Sequence, residues 1–171
     1  ALTLLAILLF QRQRPGRLRD GWLPALMLFA YAATYSFAYR DMDTGAGALV
    51  LFAAVQLLMI SYGLVRGERT SWIGLLIACG GLVAFLLPGA SAPPLGAAAL
   101  MALAGFAWGA FSLSGRPGQD PLAGTALSFL LAIPIALALV LLNYRSLQLD
   151  QAGVAWALVS GVLTSGIGYV I

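Results

Sequence analysis

The chain has 171 residues, 61% of them hydrophobic and only 9% charged, with a net charge of +3. Soluble globular domains run nearer to about 45–50% apolar and 25% charged, so the composition excludes an ordinary soluble domain and points to an integral membrane protein. All nine basic residues are arginines set in short connections, which excludes the contiguous basic face of a nucleic-acid reader. The single cysteine, Cys79, allows no internal disulfide, and the absence of histidine argues against a zinc site.

In chain order, residues 1–10 form an apolar run too short to span a bilayer and read as the second half of a helix. The link 11–20 follows, with Arg12, Arg14, Arg17 and Arg19 around a Pro15-Gly16 turn. Residues 21–39 read as the next span, with Pro24 in its first turn, where proline is tolerated. After the short loop 40–43 come two apolar helices, about 44–64 and 71–87, joined by the charged turn 65–70. Neither helix carries an internal charge, and roughly 20 apolar residues at about 1.5 Å rise cover the hydrocarbon of a bilayer. An uncharged turn, 88–94, leads to a fifth span at 95–114, where Gly105 and Gly109 are spaced for close helix approach. The loop 115–124 precedes a sixth span at 125–142, with Pro134 near its middle, where a kink and a hinge are expected. The last span, 152–171, carries small residues at Gly153, Ala157, Gly161 and Ser165. The reading is one partial helix and six spans in a chain cut at both ends.

Successive spans alternate in direction, so the loops divide between two sides. One side holds Arg12, Arg14, Arg17, Arg19, Arg66, Arg69 and Arg116, and the other only Arg40 and Arg145. The arginine-rich side is expected to be cytoplasmic, in a multi-pass protein of the cell (inner) membrane. Thr34 and Tyr39 in one span and Thr164 and Tyr169 in the last share a spacing, in helices of opposite direction, as an inverted repeat requires.

The run Gly63-Leu64-Val65-Arg66-Gly67-Glu68-Arg69, then Trp72-Ile73-Gly74 and Gly80-Gly81-Leu82-Val83, resembles the drug/metabolite transporter superfamily, EamA type. The helix entry Thr44-Gly45-Ala46-Gly47-Ala48-Leu49 and Trp108 are similar to it as well. The resemblance implies an all-α polytopic transmembrane bundle of two inverted five-helix repeats. This chain would supply helices two to eight of ten. Residues 1–88 would be a first repeat lacking its first helix, and 95–171 a second repeat lacking its last two. It further implies a secondary transporter or exporter of small metabolites, working by alternating access. The missing helices would help to enclose the cavity, so the fragment is not expected to transport by itself.

The candidate cavity residues are Tyr35, Ser36, Gln56, Trp108, Ser112, Thr164 and Tyr169. For Gln56 the plainer alternative is an interhelical hydrogen bond. For aromatic residues near helix ends it is interfacial anchoring, which suits Trp22, Tyr39, Trp72 and Tyr144. Arg66, Glu68 and Arg69 read as a structural turn held by a surface ion pair, more simply than as a proton or substrate site. No Asp, Glu or Arg falls within a span, so a coupling carboxylate would have to lie in the missing helices. An uncharged, aromatic and hydroxyl-lined site suits amino-acid-like, nucleoside-like or drug-like solutes. The alternatives are a non-transporting membrane scaffold or subunit and, with no base near Ser112 or Ser160, less readily an intramembrane enzyme. The expected partners are the lipid bilayer and a small-molecule substrate, with a homodimer allowed. No nucleic acid, cofactor or metal is expected.

The charge asymmetry makes a direct prediction. With Cys79 replaced by Ser, a cysteine at Arg17 should resist an impermeant thiol reagent in intact cells, and one at Ala90 should react. The reverse pattern would overturn the orientation.

Overall fold

The computed structural model describes residues 18–69, 71–86, 93–115, 120–143 and 150–162. They form six helices: α1 (Leu18–Ala38), α2 (Thr44–Val65), α3 (Trp72–Leu86), α4 (Leu95–Leu113), α5 (Pro121–Leu142) and α6 (Gln151–Val162). Among the described residues there is no strand. Three helices, α2, α4 and α5, are long and apolar enough to cross a membrane by length and composition. α1 has the length, at 21 residues, but its tyrosines, tryptophan and proline leave it less apolar than those three. The described parts of α3 and α6 are shorter, at 15 and 12 residues. Large apolar side chains lie open on the outer surface, among them Val65 at 88%, Leu95 at 89% and Leu142 at 83% exposure. In water such a surface would be a liability, and it is compatible with a helical membrane protein.

The basic link 11–17, the turn 88–92, Arg116, Arg145, Thr164 and Tyr169 lie outside the described residues. The expected ends at 87 and 171 lie outside the described residues, and the other span boundaries agree with the helices to within a turn except in α5. That helix starts at Pro121, a full turn before the expected Thr125. The reason is local: the Asp120 carboxylate accepts from the backbone N–H of Leu122 (2.8 Å) and of Ala123 (3.4 Å). Pro121 stands at the first helical position, where its fixed φ suits the helix and its missing N–H costs nothing. Pro134 sits inside α5, which continues past it to Leu142.

The helices fall into two units, residues 30–114 and residues 1–29 with 115–171. In the first, α2 packs chiefly on α4. A Cβ on Gly105 would stand 2.6 Å from the Leu51 carbonyl oxygen and 2.7 Å from the Ala54 Cβ, and one on Gly109 would stand 2.9 Å from a Leu58 methyl. Contacts climb both helices together, so α2 and α4 run parallel. The core they share gathers Ala38, Leu51, Met101 and Ala104, with Tyr31, Tyr35, Tyr39, Met42 and Val50 around it. α1 enters that core from the opposite direction. Its Tyr39, just past the helix end, packs on Gly47 near the start of α2, whereas Tyr31 reaches Trp108 far along α4. The Tyr39 hydroxyl donates to the Thr44 carbonyl at 3.3 Å, closing the short loop between α1 and α2.

In the other unit, Gly21 faces Leu127 and Leu131 of α5, both within 2.8 Å of where a Cβ would stand. Ala123 and Ala126 form a small core with Leu122 and Phe129. The buried Ser128 hydroxyl donates to the Gly124 carbonyl at 2.9 Å, so it enters the apolar interior with its donor satisfied. α6 is exposed along its described length, and nothing lies within 4 Å of a Cβ built on Gly153 or Gly161.

The two glycines of α4 should differ in what they tolerate. At Gly105 a methyl meets backbone, so Gly105→Ala should destabilise the chain by about 1–3 kcal/mol. At Gly109 it meets the flexible end of Leu58, so Gly109→Ala should cost distinctly less. Denaturation in detergent micelles, followed by circular dichroism, gives both values, and equal costs would contradict the packing described.

Candidate functional site

Helical spacing builds the most distinctive group of side chains in the described residues. Tyr31, Tyr35 and Tyr39 recur every fourth residue, so they line one side of α1 and its end. The Tyr31 and Tyr35 rings lie 5.5 Å apart and tilted, and the Tyr35 and Tyr39 rings lie 4.6 Å apart edge to face. Trp108 of α4 stacks on Tyr31 at 6.0 Å, and Phe52 of α2 meets Trp108 edge-on at 6.5 Å. These are the tilted and offset geometries that ring quadrupoles favour, each contributing about 0.5–1.5 kcal/mol beyond area burial. One row of aromatic rings thus ties three helices together.

Of the residues singled out from sequence, the structure brings Tyr35 and Trp108 into this row through Tyr31. Gln56 and Ser112 lie one helical turn beyond Phe52 and Trp108, at the edge of the row. Gln56 is exposed on α2 and makes no side-chain hydrogen bond among the described residues. The Ser112 hydroxyl donates to the Trp108 carbonyl at 2.9 Å. Ser36 is one position off the tyrosine line, and its hydroxyl donates to the Ala32 carbonyl at 2.7 Å. Thr34 likewise donates to the Ala30 carbonyl at 2.7 Å. Such back-bonding satisfies a hydroxyl inside an apolar helix. Tyr31 and Phe52 were not among the candidates, although the four-residue spacings Tyr31–Tyr35 and Phe52–Gln56 carried the signal.

The charged step after α2 is a backbone device. Gly67 adopts φ +80°, its N–H donates to the Leu64 carbonyl at 3.0 Å, and the Glu68 N–H donates to the Gly63 carbonyl at 3.0 Å. This pair of bonds is the Schellman termination, which needs a left-handed residue and favours glycine. The expected ion pair is replaced by another contact. The Arg66 guanidinium lies 4.9 Å above the Tyr62 ring, and no ion pair joins Glu68 to Arg66 or Arg69 among the described residues. Tyr62 stands one turn before Arg66 on the same helical face, closer at hand than a carboxylate across the turn. α3 then begins after Ser71, whose hydroxyl accepts from the Gly74 N–H at 3.3 Å.

The aromatic row offers π faces and phenol hydroxyls without a formal charge, so what it can do chemically is bind. Among the described residues no three His, Cys, Asp or Glu side chains gather to hold a metal.

No family model matches the chain, and no solved structure matches it. The chain is similar to a protein of Pseudomonas aeruginosa named "Uncharacterized protein PA1977", with 52% identity over 172 residues. The match covers 98% of this chain but 60% of that protein, so the chain spans less than two thirds of its relative's length. At such identity the matched segments share a fold.

The turn yields a prediction independent of function. Gly67→Ala should cost about 1 kcal/mol, because its φ is left-handed. Gly67→Asn, which enters that region more readily, should cost less. Thermal melts in micelles test the order, and an Ala variant as stable as the parent would contradict it.

Proposed function

We propose that this chain is part of a secondary membrane transporter of small amphipathic solutes, of the drug/metabolite transporter superfamily, EamA type. In this reading the arginine-rich links face the cytoplasm, and two inverted repeats rock about a central binding surface in alternating access. The observation that carries the reading is the aromatic row Tyr35–Tyr31–Trp108–Phe52, which joins α1, α2 and α4, whose only charged residues, Arg19 and Asp20, stand in the first turn of α1. A surface of π faces and hydroxyls, within helices that would otherwise meet only lipid, suits a neutral or zwitterionic solute with an aromatic or aliphatic body.

The directions of the helices support it. α1 opposes α2, and α2 parallels α4, as successive crossings of one slab require. The family assignment itself rests on the residues around Glu68, on Trp72-Ile73-Gly74 and on Trp108. A scaffold would need none of the aromatic row, and an enzyme would need a nucleophile with a base, which the row does not contain.

The test is flux. The full-length gene product, reconstituted in liposomes, should move at least one class among labelled amino acids, nucleosides and drug-like compounds in a saturable way. Trp108→Ala and Tyr31→Ala should each weaken half-saturation by roughly two- to tenfold, the loss of one ring contact. Absence of flux for every class, or flux indifferent to both substitutions in correctly folded protein, would refute the proposal.

A further inference from the structure

A second feature lies where α2 and α4 end, away from the aromatic row. It is an open cleft of about 310 Å³, lined by Met59, Ile60, Tyr62, Gly63, Glu68 and Leu113. Its volume holds roughly ten water-sized groups. The Schellman turn decides what enters it. By bonding the Glu68 N–H to the Gly63 carbonyl, the turn folds the chain back on the last turn of α2. The Glu68 carboxylate then lies against Gly63, its Oε2 2.9 Å from where a Cβ on that residue would stand. Gly63 is buried, and only the absence of a side chain there makes room for the carboxylate. The Arg66 guanidinium lies over the ring of Tyr62, itself part of the lining, and the carboxylate has no ion-pair partner among the described residues. The cleft therefore carries one anionic group at its rim, with Met59, Ile60 and Leu113 as apolar wall.

We propose that this cleft binds an amphipathic organic cation, its ammonium on the Glu68 carboxylate and its aliphatic body along Met59, Ile60 and Leu113. The site is independent of the transport reading and stands or falls without it. Two sources supply this chemistry: a free alkylamine, and the amine headgroup of a phospholipid whose chains already lie in the bilayer.

The experiment uses the chain in phosphatidylcholine nanodiscs, with labelled octylammonium as probe, octanol as uncharged control and empty discs as background. Octylammonium should bind saturably above the empty discs. Glu68→Gln should weaken that binding about tenfold, the loss of a charged hydrogen-bond partner. Gly63→Ala keeps the charge but pushes the carboxylate out of the cleft, so it should weaken binding in the same direction. Octanol uptake should be equal in all three proteins. Added phosphatidylethanolamine that competes assigns the site to the lipid headgroup, and failure to compete assigns it to a free amine; each outcome upholds the ammonium chemistry. Uptake no greater than in empty discs, or equal affinity in the helical Glu68→Gln chain, overturns the proposal.

Discussion

The close approach of Gly105 to the Leu51 carbonyl is the contact on which the unit of residues 30–114 depends. A side chain of any size there would hold α4 off α2, and the shared core of Leu51, Met101 and Ala104 would open. In lipid, apolar burial gives little drive for two helices to associate, so fit between backbones must supply it. The contact also fixes direction. Because Ala54 meets Gly105 and Leu58 meets Gly109, the two helices rise together. Parallel neighbours cannot be joined by a short turn, and the intervening α3 is the element that has to return.

Polar side chains enter these helices on terms that apolar surroundings allow. Thr34, Ser36, Ser112 and Ser128 each give their hydroxyl hydrogen to the carbonyl one turn back. None then needs a partner from another helix, and a hydroxyl satisfied in this way is poorly placed to be a nucleophile or a strong ligand. In the transport reading proposed above, the weight of recognition then falls on the rings. Tyr31, Tyr35, Trp108 and Phe52 combine large contact area with few rotatable bonds, which keeps the ordering cost of a binding surface low.

Much of this was legible in the sequence, and the misses have physical causes. Apolar length marked the helices, and the Gly105–Gly109 spacing marked the face of α4 that meets α2. The four-residue tyrosine spacing was equally readable, yet which ring would complete it from another helix was not, because that depends on how α2 and α4 are staggered. The start of α5 was misplaced because Asp120-Pro121 belongs to a polar stretch, although an aspartate followed by proline is a helix-start signal. The turn after α2 was read through its charges. Its geometry is set by Gly67 and two backbone bonds, and the arginine beside it lies over an aromatic ring with no ion pair to the carboxylate among the described residues. Sequence spacing gives i to i+4 neighbours along one helix reliably; it does not rank a cation's partners across a turn.

The parallel course of α2 and α4 is the central claim, and spin-label distances test it most directly. With Cys79 replaced by Ser, labels would be placed in pairs at Ala48 and Ala99, at Ser61 and Ser112, and crosswise at Ala48 and Ser112. The structure predicts short and similar distances for the first two pairs and a crossed distance longer by about 10 Å. A crossed pair shorter than both matched pairs would mean that the helices run in opposite directions and would contradict the account.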